Sequence, residues 1–364
     1  MKNSFIAILI LAGSIANAQY VSETMPPPPP ALDLSKPKDN VILHGDVKEF
    51  PREILKWDIK TLSISADKGF TKIPEEIKNY KNLTHFSMSG GTEVSVFPNG
   101  FSKLENLRNI SIYSNYIKVF PQQFLKLNLE ELYLFCPYLE KLPDNLGDLE
   151  NVKKLSIIGR EYKSVFINDK EVFLQPLSLP KSIKKLKKVE SFMLSKNMLK
   201  SIPEEIGEMD NLVRLYLADN DLETLPGSIA RLKKLKSIDL SKNKFKVFPA
   251  ALYDTENVEA VYYSENSIES FPVGIDKMKN LKHLFADKCK ISSQALAELW
   301  NASSLQTLDL SNCQIQNLPP GLEKLTHLKS LSFWGNKLSP ADLEKLKRNL
   351  PNTKVTLVNP YKPF

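Results

Sequence analysis

From Val189 to Asn280 the apolar positions follow one spelling written four times. Val189-x-x-Phe192-x-Leu194-x-x-Asn197 recurs from Leu212, Leu235 and Val258, and each copy runs on to an apolar residue followed by proline. The asparagines stand at 197, 220, 243 and 266 and the prolines at 203, 226, 249 and 272, a constant step of 23 residues. Alternating residues such as Leu215 and Leu217 share one face of an extended chain, so each copy predicts a short strand. Asn220 follows where the chain must turn, and its amide can satisfy backbone groups that a buried bend leaves unpaired. Leu225-Pro226 closes the outer arc, with Ile229 and Leu232 turned back inward. One copy cannot bury these side chains alone. Stacked copies can, which makes the predicted architecture a solenoid.

The same spelling, less regular, extends in both directions. Full repeats begin at Ile59, Leu83, Leu107, Leu129, Val152, Val189, Leu212, Leu235, Val258, Leu281, Leu305 and Leu328, twelve in all. A half-repeat, Val47 to Ile54, precedes them, with Trp57 placed to seal the first layer. In the tenth repeat Ser292 to Trp300 replaces the Leu-Pro arc and predicts a serine-capped helix. Ser339 and Pro340 open a second one, and Lys354 to Val358 predicts a closing strand, with Tyr361 and Phe364 completing a cap. The step from Pro143 to Pro180 is 37 residues, an excess of fourteen falling at about Arg160 to Leu174. There Val165-Phe166-Ile167 and Val172-Phe173-Leu174 flank Asn168-Asp169, a hairpin pattern. Two readings of it stand: a loop on a binding face, or a self-packed decoration, which a solenoid tolerates cheaply.

These repeats resemble the 23-residue leucine-rich-repeat family with Leu-Pro-x-x-Ile arcs, known from Ras-signalling scaffolds and from plant and bacterial proteins. The resemblance runs from about Val47 to Val358. It implies an α/β solenoid, a curved right-handed horseshoe with a parallel sheet on its concave face and short helices or 3-10 turns on its convex side. It also implies a role in protein recognition, with no catalytic residues and no cofactor. The expected layout is a signal peptide at 1–18, a Pro-rich linker at 19–40, an N-terminal half-repeat cap at 41–58, repeats over 59–338 with the insertion near 160–174, and a C-terminal cap at 339–364.

The signal peptide is read from Lys2, the apolar run Phe5 to Ala12 and the small-x-small site Ala16-Asn17-Ala18. That run is too short to span a bilayer. Pro26 to Pro30 reads as a stiff spacer. The expected location is therefore periplasmic or secreted, for a monomer without a membrane span.

Composition adds little to this frame: 42% hydrophobic and 25% charged residues with a net charge of +7 describe an ordinary globular surface. The four histidines, His44, His85, His283 and His327, have no metal or catalytic spacing, and no nucleotide-binding loop or nucleophile elbow occurs. Metal and cofactor sites are thus not expected, nor is an enzyme. Cys289 and Cys313 occupy the asparagine position of adjacent repeats, where parallel side chains favour buried thiols over a disulfide. Two basic arcs, Lys181 to Lys188 and Arg231 to Lys236, raise an alternative: adhesion to an anionic glycan or cell surface. They lack the interleaved aromatics that nucleic-acid binding uses. A host-directed binding effector is a third reading.

The strand residues between the leucines point out of the concave face. Their two columns are serine-rich at both ends of the chain, whereas the middle carries Tyr113, Tyr133, Phe135, Ile158, Met193, Tyr216, Asp239, Tyr262 and Phe285. Exposed aromatics gathered in a concavity mark partner sites, so this stripe is the candidate surface for a protein or peptide. Aromatics on parallel strands also stack for sheet stability.

Overall fold

The computed structural model describes residues 32–159 and 174–360 in full, and the backbone alone of 164–167 and 170–173. The chain divides into two units, Met1–Asp33 and Leu34–Phe364, and the second is the subject here. The signal peptide, most of the linker, and Tyr361 and Phe364 lie outside the described residues.

A single open sheet organises the second unit. It begins with β1 (Asn40–Gly45), β2 (Thr61–Ala66), β3 (His85–Met88), β4 (Asn109–Tyr113), β5 (Glu131–Phe135) and β6 (Lys154–Ile158). The insertion follows as β7 (Ser164–Ile167) and β8 (Lys170–Phe173), an antiparallel pair outside the main sheet, as the sequence pattern predicts. The sheet resumes with β9 (Ser191–Met193), β10 (Arg214–Tyr216), β11 (Ser237–Asp239), β12 (Ala260–Tyr262) and β13 (His283–Phe285). It ends with β14 (Thr307–Asp309), β15 (Ser330–Ser332) and β16 (Lys354–Thr356). All fourteen strands run in chain order and every described pairing in the sheet is parallel. Twelve of them, β2 to β6 and β9 to β15, are the strands of the twelve repeats. Of the remaining two, β16 is the closing strand that the sequence pattern predicts, and β1 is the one it does not. It lies upstream of the half-repeat read from Val47, and its Val41 and Leu43 are buried while Ile42 between them is exposed.

The prolines do what their chemistry allows. Pro203 (φ −71°) and Pro226 (φ −67°) stand just before the 3-10 turns Glu204–Glu208 and Gly227–Arg231, where a fixed φ helps and a missing N–H costs nothing. Where the Leu-Pro arc is absent, α1 (Ser293–Leu299) and α2 (Pro340–Asn349) take its place. Ser292 and Ser339 cap them by accepting from the N–H groups of Ala295 and Asp342, each at 3.1 Å.

The asparagines tie the turns together. Asn220 Oδ1 accepts from the N–H groups of Asn197 and Leu199 in the preceding turn, both at 3.0 Å. Its Nδ2 donates to the carbonyls of Leu194 at 3.0 Å and Leu217 at 2.9 Å. One buried amide thus satisfies four backbone groups in two turns. Asn243, Asn266 and Asn336 repeat the arrangement. At Cys289 and Cys313 a thiol substitutes, donating to the carbonyls of Tyr263 (3.4 Å) and Ala286 (3.0 Å). All three cysteines are free and buried, and burial holds the Cys136 and Cys289 thiols up at about 12.

One local feature departs from the simplest expectation for a tight turn. The residue before each ladder position has a left-handed φ, yet it is Lys196, Asp219, Lys242, Glu265, Lys288 or Asn312 in turn, with φ between 54° and 63°. Glycine occupies the equivalent place at Gly335 (φ 75°) and, in earlier turns, at Gly45 (φ 68°) and Gly90 (φ 74°). The ladder bonds over-determine the turn and hold these side-chain-bearing residues there against their preference.

Candidate functional site: the concave sheet face

Strand register sets the site. Tyr113 pairs with Phe135 and Phe135 with Ile158 along one outward column. Beside it runs Tyr133, Ser156, Met193, Tyr216, Asp239, Tyr262 and Phe285, each opposite the next. Parallel strands about 4.8 Å apart bring all nine expected residues into one band. Their exposure differs along it. Tyr113 is the most open, at 46%; Tyr133, Phe135, Ile158, Met193, Tyr216, Tyr262 and Phe285 are half-buried. Burial raises the hydroxyl pKa of Tyr133, Tyr216 and Tyr262, so all three stay protonated donors.

Two details correct the stripe as read from the sequence. The rings do not project singly: Tyr113 stacks on Phe135 at 4.4 Å and Tyr262 on Phe285 at 4.9 Å, both nearly coplanar. Stacking along the ladder hides ring faces and offers ring edges, which suits a protein surface better than a sugar ring seeking a flat face. Asp239, expected to project, is only 7% exposed. It is a short side chain between two tyrosines, and its Oδ1 accepts from the Ser241 N–H at 3.0 Å. Ser156, between Tyr133 and Met193 in the same column, is buried too.

The apolar surface also reaches further than the stripe. Tyr116 and Val119, on the arc that leaves β4, are 38% and 70% exposed, and Val96 in the preceding turn is 74% exposed. The signal for the valines was present in Val96-Phe97-Pro98 and Val119-Phe120-Pro121. Most other arcs put a serine, threonine or lysine before the apolar-Pro pair, as at Ser201, Thr224 and Lys141. Tyr116 donates to Glu93 Oε1 at 3.2 Å, which fixes its ring on the flank.

The basic arcs look different once folded. Lys185 bridges Asp148 at 3.2 Å, Lys187 bridges Asp210 at 3.0 Å, Lys233 bridges Glu256 at 2.6 Å and Lys236 bridges Glu259 at 3.4 Å. Each lysine meets an acid one turn away. Exposed pairs add little stability, but they offset part of the charge of both arcs, while Lys188 and Lys234 bond to Asn151 and Asn211 instead. Two surface hollows, of about 340 and 500 Å³, lie away from the stripe: one is bounded by Leu318, Pro320 and Arg348, the other by Val273, Glu298 and Lys324. Among the described residues no three His, Cys, Asp or Glu side chains gather as metal ligands, and no helix is long and apolar enough to cross a membrane.

Comparison with known proteins agrees with this geometry. A family model described as leucine rich repeats (2 copies) matches residues 303–348. The rat volume-regulated anion channel subunit LRRC8A is 25% identical over 194 residues, 50% of this chain but only 22% of the channel subunit. Among solved structures, a TDR receptor aligns over 86% of this chain and 55% of its own with a TM-score of 0.61 at 21% identity. An internalin (inlF) from Listeria monocytogenes aligns over 85% and 76% with a TM-score of 0.56 at 16% identity. At these identities the structures share the fold. A repeat written twelve times along one parallel ladder, two copies of which the family model matches at residues 303–348, gives this chain a leucine-rich-repeat solenoid fold similar to those proteins.

Proposed function

We propose that this is an exported, non-enzymatic recognition protein that binds another protein or peptide through the middle of its concave sheet face. The observation that carries the reading is the aromatic band from Tyr113 to Phe285, which the strand register gathers on one face of the sheet. From the third to the tenth repeat it covers roughly 35 Å of ladder, enough for an interface of standard size. The flank residues Tyr116 and Val119 extend it, and aromatic anchors of this kind dominate binding energy where they meet a partner. Export is supported by the Lys2 to Ala18 pattern. The names of two structural neighbours, a receptor and an internalin, agree with a recognition role.

The test is site-specific photocrosslinking in the native envelope and culture medium. A benzophenone side chain at Tyr113 or Tyr216 should give a discrete adduct that Lys103, on a convex arc, does not. Tyr133→Ser with Tyr216→Ser should abolish it while circular dichroism remains unchanged. Equal labelling from position 103, or an adduct indifferent to the double substitution, overturns the reading.

A further inference from the structure

The concave face is electrically divided. From β6 to β10 its outward positions carry Arg214 and Lys154, the latter bridged to Glu131 of β5 at 2.7 Å, and no carboxylate of their own. From β11 to β14 they carry Asp239, Asp287 and Asp309 and neither lysine nor arginine, in a chain whose net charge is +7. On the turns just beyond, Lys288 bridges Glu265 at 3.1 Å, which leaves Lys242 to oppose three acids.

Asp239 lies inside the aromatic band, opposite Tyr216 on one side and Tyr262 on the other. Its hydrogen-bond partner is Ser241, and a carboxylate can accept about four such bonds. Any partner laid across Tyr216 and Tyr262 strips the remaining water from this group. An apolar or acidic side chain placed there leaves a buried charge without a counterion, which is strongly unfavourable. A cationic side chain gains a charge-assisted hydrogen bond from the carboxylate and attraction from the tyrosine rings on either side.

We therefore infer that the partner presents a lysine or arginine to Asp239, between Tyr216 and Tyr262, at the acidic half of the concave face. The inference rests on the concave-face reading above and gives its partner a definite chemistry: a basic side chain set among apolar ones. Asp239 acts as a selector, rejecting partners that match the band in shape alone.

The experiment is selection of a displayed random 12-residue peptide library on the full chain, followed by affinity measurements on the synthesised winners. The expected peptides bind through the band, losing affinity on Tyr216→Ser with Tyr262→Ser, and share a lysine or arginine. Replacing that residue by norleucine, or Asp239 by asparagine, should weaken binding at least about tenfold, as close charge pairs at interfaces do. The Asp239→Asn chain stays folded, because asparagine keeps an oxygen for the Ser241 N–H, and a thermal melt verifies this. Band-dependent peptides that lack a basic residue and bind Asp239→Asn equally well overturn the inference and leave the concave-face reading standing. Peptides indifferent to the tyrosine substitutions, or no enriched peptide at all, count against the concave-face reading itself.

Discussion

The rings of Tyr113 and Phe135, on adjacent strands, lie 4.4 Å apart with 1° between their planes. A stack so placed serves the sheet and a partner at once, and the two roles separate by measurement. Tyr113→Ala and Phe135→Ala in a double-mutant cycle should show a coupling of about 0.5–1.5 kcal/mol in denaturant unfolding. Tyr113 is the more exposed of the two, so its loss should harm binding more than stability. The reverse order would make the stack purely structural.

Asn220 supports four backbone groups. Asn220→Ala leaves the Asn197 and Leu199 N–H groups and the Leu194 carbonyl without this partner, while the Leu217 carbonyl keeps its bond from Asn243 Nδ2 at 2.9 Å, so the loss should reach about 3 kcal/mol by urea unfolding. Asn220→Cys should lose less, since the thiols at Cys289 and Cys313 show that a donor alone is tolerated at this position.

Lys242 has φ 54°, where a β-carbon is strained, and Gly335 occupies the equivalent place at φ 75°. Lys242→Gly removes the strain at the cost of extra freedom in the unfolded chain. The balance should stabilise by about 0.5 kcal/mol, read as a raised midpoint with an unchanged denaturant slope. A lowered midpoint would show the side chain to be held by contacts outside the turn.

Burial raises the carboxyl pKa of Asp239 in the folded state. Folding then favours the protonated form, so this site's contribution is fully present below the unfolded value, about 3.9, and is lost as pH rises through the folded one. Asp239→Asn should accordingly melt higher than the parent at pH 7, with the gap closing as pH falls below about 4. A gap that widens in acid would contradict the assigned direction.

Much of the fold was legible because stacking imposes one repeated solution. The leucines, asparagines and prolines from Val189 to Asn280 are the residues that a 23-residue turn needs, and Ser292 and Ser339 announce the two helices that interrupt the pattern. The limits are equally physical. β1 escaped notice because a single terminal strand has no copy to compare with. Val41-Ile42-Leu43 reads as an apolar run until its alternating burial is seen. Columns of the concave face followed from alternation alone, but how deeply each side chain sits did not. Asp239 is buried because its neighbours are tyrosines, a relation between residues 23 apart on either side. The pairing of Lys187 with Asp210 and of Lys233 with Glu256 was hidden for the same reason: the partners are one turn away in space and 23 residues away in sequence.

The amide ladder has a direction. Asn220, Asn243, Asn266 and Asn336 each accept hydrogen bonds from the turn before their own. A turn is therefore finished only when the next has been made, and a chain emerging from the ribosome carries one incomplete coil at its growing end. Folding lags synthesis by a whole period, about one to five seconds at ordinary elongation rates. During that interval the newest buried amides have only water to bond. Beyond Asn336, the last of these asparagines among the described residues, α2 and β16 take the place that a further turn would fill.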